Sequence, residues 1–163
     1  MLDIRQAISS DLEAVTRITA QAYSIWVPIL GYSPQPVTDD PAPRIEQGEV
    51  FVACYDKAVV GVIAVERGDD HDLIFNVAVD PGHAGKGIGR RLIQEIEQQA
   101  RSAGKASMTL YTNALMERNI SLYIALGYVE TGRRPNTARP GFTIVDMKKD
   151  LQTNPSRLPP SRS

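Results

Sequence analysis

The chain has 163 residues, 18 Lys and Arg against 19 Asp and Glu, 42% hydrophobic residues and one cysteine. That length predicts a single domain, and the near-neutral balance excludes the clustered positive charge of a nucleic-acid sleeve or a polybasic membrane binder. One cysteine excludes an internal disulfide and a cysteine-based zinc site, and His71 and His83 lie in different segments, so no metal is expected.

The first residues, Met1-Leu2-Asp3-Ile4-Arg5, alternate apolar and charged and do not read as a signal peptide. No apolar run approaches the ~18 residues of a bilayer span, so a soluble cytoplasmic domain is the expectation. Leu2, Ile4 and Gln6 predict a short first strand. Ser10 followed three residues later by Glu13 predicts a capping box, and Leu12, Val15, Ile18 and Ala22 continue it as a helix with one buried stripe. From Pro28 to Pro43 five prolines and Gly31 exclude a long helix. Tyr23, Trp26 and Tyr32 read there as exposed aromatics, suited either to walling a binding site or to a simple surface wrap.

Val50–Tyr55 and Val59–Val65, separated by Asp56-Lys57-Ala58, predict an antiparallel hairpin. Cys54 reads as a small core residue, with no histidine in a matching context to make it a nucleophile. Leu73–Val79 is apolar apart from Asn76, which predicts a central strand buried on both faces. After a glycine-rich turn, Ile88, Leu92, Ile96 and Ala100 share one helix face that Gly104-Lys105 ends. Met108, Leu110 and Tyr111 mark a strand, Leu115–Leu126 a second apolar-faced helix stopped by Gly127, and Tyr128–Arg133 with Phe142–Met147 a closing hairpin. The order β-α-(loop)-β-β-β-α-β-α-β-β is a mixed α/β sheet, with residues 1–150 as the domain and 151–163, rich in Pro, Ser and Arg, as a flexible tail.

The informative feature is Pro81-Gly82-His83-Ala84-Gly85-Lys86-Gly87-Ile88-Gly89 between an apolar strand and a helix. Gly85, Gly87 and Gly89 remove side chains where backbone would approach a ligand, and the helix that follows offers unpaired N–H groups and a positive dipole end to phosphate oxygens. Lys86, Arg90 and Arg91 add charge there. A turn whose glycines merely allow unusual dihedrals is the plainer alternative, weakened by three glycines at alternate positions. The spacing fails a P-loop, and Arg90 stands where a dinucleotide fingerprint needs its third glycine.

Asn76-Val77-Ala78-Val79-Asp80-Pro81, the turn Gly85-Lys86-Gly87-Ile88-Gly89-Arg90-Arg91-Leu92 and the later Asn119-Ile120-Ser121-Leu122-Tyr123-Ile124-Ala125-Leu126-Gly127-Tyr128 resemble the GNAT N-acetyltransferase family over about residues 2–150. The resemblance implies an α+β fold: a mixed, mostly antiparallel sheet flanked by helices, with a splayed central strand. It implies that backbone groups of Val77, Ala78 and Val79 pair with the pantetheine arm of acetyl-CoA. The amides of Gly85, Lys86, Gly87, Ile88, Gly89 and Arg90 would hold its pyrophosphate, with Asn119 as a further contact. Tyr123 matches the tyrosine that protonates the departing CoA thiolate, a thiol of pKa ~8.5.

Relatives with a strand glutamate as base have no counterpart here, so the base stays unassigned between Asp72, Glu66 and neither. Ala84 replaces the usual Gln or Arg ahead of Gly85, and Met116 stands where many members carry Asn. The resemblance implies direct attack of a primary amine on the thioester, with strand N–H groups facing the oxyanion. Aromatics and Asp39-Asp40 in the proline-rich segment suit a small cationic or amphipathic amine. A non-catalytic CoA-binding sensor or regulatory module is the competing reading. Neither nucleic acid nor membrane is an expected partner: Arg133, Arg134 and Arg139 cluster without an aromatic platform. Edge strands need covering, which leaves room for a homodimer through the last strands or the tail.

Overall fold

The computed structural model describes residues 1–151. The strands are β1 (Leu2–Gln6), β2 (Val50–Tyr55), β3 (Ala58–Arg67), β4 (His71–Val79), β5 (Ser107–Asn113), β6 (Val129–Pro135) and β7 (Thr143–Asp150). The helices are α1 (Leu12–Tyr23), the short α2 (Val27–Leu30), α3 (Gln35–Thr38) and α4 (Ala42–Glu46), then α5 (Ile88–Ser102) and α6 (Glu117–Ala125). The strands make one seven-stranded, mostly antiparallel sheet in the order β1-β2-β3-β4-β5-β7-β6. The described chain falls into two compact units, Met1–Glu66 with Ile74–Ile96, and Arg67–Leu73 with the described residues from Glu97 to Leu151.

In the first unit β1 pairs with β2, Leu2 opposite Tyr55, and β2 pairs with β3. Asp56 and Lys57, the two residues between β2 and β3, both take positive φ (48° and 72°), as a two-residue hairpin of matching twist requires. One face of this hairpin packs on α5. A Cβ on Gly61 would stand 2.8 Å from Ile88 Cγ2 and 3.1 Å from Leu92 Cδ1, so only glycine lets the helix approach so closely. The predicted stripe of α5 is buried as expected, with Ile88, Leu92, Ile96 and Ala100 all inaccessible.

Three expectations are corrected. The N-cap position of α1 is Asp11 rather than Ser10, and its side chain makes no cap bond to that helix. Asp11 ends a 3-10 turn (Ser9–Asp11), its Oδ2 accepts the Ile8 N–H at 2.8 Å, and Arg5 grips both carboxylate oxygens at 2.7 and 3.0 Å. Tyr23, the last residue of α1, and Trp26, in the 3-10 turn Ser24–Trp26, are buried rather than exposed, and Tyr32 is half-buried; the proline-rich segment that follows folds as three short helices. β4 is not buried alike on both faces. Asp72, Ile74, Asn76 and Ala78 are buried while Leu73, Phe75, Val77 and Val79 are half-buried, the period-2 pattern of a strand with one fully covered face.

In the second unit β7 lies between β5 and β6, antiparallel to both. α5 ends in a Schellman motif: Gly104, at φ +79°, donates to Arg101 O and Lys105 donates to Ala100 O. Asp72, 1% exposed, accepts from Arg67 at 2.9 Å and from the Gly68 N–H at 3.2 Å, and Lys105 Nζ stands 3.3 Å away. Leu151 is buried, and its N–H donates to Ala106 O. The predicted tail beyond it lies outside the described residues. Among the described residues no helix is long and apolar enough to cross a membrane.

The Arg5–Asp11 contact predicts an acid-sensitive contribution. Bonding to Arg5 holds the Asp11 carboxyl below its ordinary value of 3.8, so the unfolded chain takes up the proton first. The contribution is therefore complete above that value and lost as the pH falls through and below it. Asp11→Ala is expected to lower urea stability by about 1–2 kcal/mol at pH 7. The gap from the parent protein should narrow at pH 3.

Candidate active site

The end of β4 runs into a turn held by its own side chains. The Asp80 N–H donates to Val60 O at 2.9 Å, and Asp80 Oδ1 accepts the Gly82 N–H at 3.0 Å, capping a 3-10 turn (Pro81–His83). His83 stacks on Tyr55 with ring centroids 5.9 Å apart, and its Nδ1 lies 3.7 Å from Asp80 Oδ2. These contacts aim the following residues outward. Gly85 and Gly87 sit at φ +79° and +76° with nothing within 4 Å of where a Cβ would stand, and both residues are exposed. Gly89 differs. It has no positive φ, and its Cβ would make ordinary contact, 3.6 Å, with Val79 Cγ2.

α5 then begins, with Arg91 N to Gly87 O as a first helical bond. The preceding first-turn N–H groups are those a helix cannot pair internally. Lys86, Arg90 and Arg91 are exposed around them, whereas the Ile88 side chain is buried over Gly61, so only its backbone can serve a ligand. Exposed backbone donors, a dipole end and three cations fit a polyphosphate.

Upstream on the same strand, Val77 and Val79 are half-buried and Ala78 is buried. The Tyr23 hydroxyl points at Val77 O at 3.5 Å, and burial pushes its phenol up to about 12. Asn76 is buried beside α1: its Nδ2 donates to Thr19 Oγ1 at 3.0 Å, and its Oδ1 has no protein partner. The acids of the proline-rich segment are already committed. Arg44 bonds Asp39 at 3.0 Å and Glu66 at 2.8 Å, and it stacks 3.7 Å above the Phe75 ring, while Asp40 accepts the Ala42 N–H at the start of α4.

Asn119 and Tyr123 lie on α6 of the second unit, Asn119 half-buried and Tyr123 7% exposed. The Tyr123 ring meets Tyr128 edge-on, centroids 5.9 Å apart at 68°. Tyr128 N–H donates to Tyr123 O at 3.0 Å across Gly127, whose φ is +98°. Met116, where an Asn was sought, is buried at the start of α6. Asp72 and Glu66, the carboxylates considered as bases, are both ion-paired, and Asp72 is a buried clamp rather than an exposed strand-end charge. Cys54 is a buried free thiol.

Sequence reasoning missed Glu97. It is 2% exposed on α5, where it follows Ile93 by four residues on an apolar face, a spacing that marks it as a buried acid. Arg133 and Arg134 are also less free than they read: they pair with Glu130 and Asp146. Among the described residues no three His, Cys, Asp or Glu side chains gather as a metal site.

The acetyltransferase (GNAT) domain family matches residues 46–130, which include β4, the glycine turn, α5 and α6. The chain belongs to the GNAT acetyltransferase family. The L-amino acid N-acyltransferase MnaT of Escherichia coli (strain K12) is 28% identical over 96 residues, 56% of this chain and 56% of its own. The chain spans about half the length of the curated relatives it matches. The crystal structure of the ribosomal-protein-S18-alanine N-acetyltransferase from Escherichia coli shares the fold, with a TM-score of 0.75 over 98% of this chain and 99% of that one at 23% identity. The structure of yncA from Salmonella typhimurium with its cofactor acetyl-CoA gives 0.71 over 94% of this chain and 96% of that one at 25% identity.

The turn geometry separates the three glycines of this GNAT chain. Gly85→Ala and Gly87→Ala are each expected to cost about 1–2 kcal/mol through left-handed strain alone. Gly89→Ala should leave stability equal or raise it by about 0.5–1 kcal/mol, since it adds a helix former where there is room. Thermal denaturation of the three variants checks this.

Proposed function

We propose that this GNAT protein is a cytoplasmic N-acetyltransferase that uses acetyl-CoA to acetylate a primary amine of a small molecule. The observation that carries the reading is the bare turn at Gly85 and Gly87, opening on the first turn of α5 with Lys86, Arg90 and Arg91 exposed beside it. In this reading the N–H groups from Gly85 to Arg90 hold the pyrophosphate. The backbone of Val77, Ala78 and Val79 pairs with the pantetheine amides, and Asn119 is a further contact.

Acetyl-CoA supplies the acetyl group as an activated thioester. The amine nitrogen forms the new bond to the carbonyl carbon, the carbon–sulfur bond breaks, and Tyr123 gives its hydroxyl proton to the leaving sulfur. The amine gives up one proton, which restores the tyrosine, so the products are an amide and a free thiol. Neither Asp72 nor Glu66 is assigned the base: an arginine or lysine already engages each carboxylate.

A small-molecule acceptor is supported by the likeness to MnaT, whose own name specifies an L-amino acid. In the segment from Tyr23 to Pro43, the burial of Tyr23 and Trp26 and the pairing of Asp39 with Arg44 support a packed acceptor wall rather than an open aromatic platform. The reading extends to a homodimer through the last strands, supported by β6, an outer strand exposed at six of its seven residues.

Incubation with acetyl-CoA and a panel of amines, following free thiol, tests the reaction. Tyr123→Phe is expected to lower kcat by about 10²–10⁴-fold, the range of a positioned general acid, with CoA affinity kept. Tight CoA binding without turnover on the whole panel would favour the sensor module. Turnover confined to peptide acceptors would overturn the small-molecule assignment.

A further inference from the structure

Glu97 is the buried charge that the proposed reaction does not use. It sits on α5, 2% exposed. Its Oε2 accepts the Tyr128 hydroxyl at 2.8 Å and its Oε1 accepts Lys149 Nζ at 3.0 Å, so both oxygens are engaged. Lys149 Nζ also donates to Leu126 O at 2.8 Å, at the C-terminal end of α6, and passes 5.8 Å from the Tyr128 ring centroid. A Cβ on Gly127 would stand 3.3 Å from Lys149 Cε, so the lysine stem lies tightly against the turn that ends the helix.

These bonds converge on Tyr123. The Tyr128 N–H fixes the Tyr123 carbonyl at 3.0 Å, and the Tyr128 ring meets the Tyr123 ring edge-on. A tyrosine ring turns about two bonds, so its hydroxyl is placed by whatever packs against the ring. One such neighbour is the Tyr128 ring, whose far end is tied to a buried carboxylate. Burial, and the Glu97 carboxylate beside it, push the Tyr128 phenol far above its ordinary value of 10.0, so it remains a donor to Glu97. Tyr128 is therefore spent on orientation and has no proton of its own to give.

We propose that Glu97 is a positioning residue, acting through Tyr128 to hold the Tyr123 hydroxyl in line for proton delivery, with Lys149 balancing its charge and closing the end of α6. The proposal rests on the reading of Tyr123 as the proton donor. Tyr128→Phe is the sharpest probe, because it keeps the ring against Tyr123 and removes only the hydroxyl that Glu97 holds. Glu97→Gln keeps the shape and removes the charge.

The test uses the full-length protein with acetyl-CoA and whichever amine of the panel releases thiol fastest. Tyr128→Phe is expected to lower kcat roughly ten-fold while changing the KM for acetyl-CoA less than about two-fold, a loss of alignment rather than of binding. In the Tyr123→Phe background the same substitution should change kcat by less than about two-fold, since there is no hydroxyl left to position. Equal losses in both backgrounds would mean that Tyr128 only supports the fold, and would overturn the proposal, as would no loss in the parent. If Glu97→Gln does not fold, the Tyr128→Phe comparison decides alone. If Tyr123→Phe keeps full kcat, or no amine turns over, the reading of Tyr123 fails and the positioning role fails with it. If Tyr123→Phe is impaired and Tyr128→Phe is not, only the positioning role falls.

Discussion

Two buried polar side chains on β4 set the frame for the rest. Asp72 and Asn76 point to the covered face of a strand that is otherwise apolar, and each has a partner that only one register supplies. A slip of one residue would carry Asp72 away from Arg67 and Lys105, and Asn76 away from Thr19. It would also turn every apolar side chain to the wrong face. Stranding a buried carboxylate costs several kcal/mol, more than a single apolar contact could repay. With that register set, Val77, Ala78 and Val79 fall at the strand's end, Asp80 starts the turn, and Gly85 and Gly87 come to the surface. The position of the glycine turn in the first unit thus follows in part from the Asn76–Thr19 contact made nine residues before Gly85.

Charge is divided by the same logic. Acidic and basic residues are nearly balanced in the whole chain, and among the described residues several half-buried cations are matched: Arg44 by Asp39 and Glu66, Lys105 by Asp72, Lys149 by Glu97. Lys86, Arg90 and Arg91 stand instead at the exposed start of α5, where they add to the helix dipole. A chain of net charge −1 can therefore present a locally positive surface to an anion without the diffuse excess that nucleic-acid binding would need.

How much of this could be read from the sequence depended on how local the cause was. The β2–β3 hairpin, the α5 stripe with its Gly104 stop and the glycine turn all arise from neighbours in the chain, and their expected positions agree with the structure. The N-cap expected at Ser10 lies one residue early, and the Asp11 carboxylate turns back to Ile8 and to Arg5, a partner on β1 that no helix-start pattern includes. Tyr23 and Trp26 read as exposed because prolines and turn residues surround them, yet burial is decided by what the turns fold against. Asn76 read as an exception in an apolar strand. Its place beside Thr19, 57 residues away, is a tertiary fact. Asp39 and Asp40 looked available to a cationic ligand for the same reason: Arg44 and the Ala42 N–H already hold them.

Glu97 raises the remaining question of why a carboxylate should be buried at all. Replacing a buried ion pair by well-packed apolar residues is often neutral or stabilising, so stability alone gives no reason for Glu97 and Lys149 to face each other in the second unit. What apolar side chains cannot do is hold a tyrosine hydroxyl at one point and close the last carbonyls of a helix at the same time. Glu97 does the first and Lys149 the second, and both act on the few residues that carry Tyr123. A packed ring without that tether would still exclude water from Tyr123, but it could slide and turn within its pocket. Proton transfer is sensitive to displacements well below 1 Å, so if Tyr123 is the proton donor as proposed, a fixed hydroxyl is worth more there than the stability a hydrophobic replacement would add. The directional bonds to Glu97 supply what packing alone lacks.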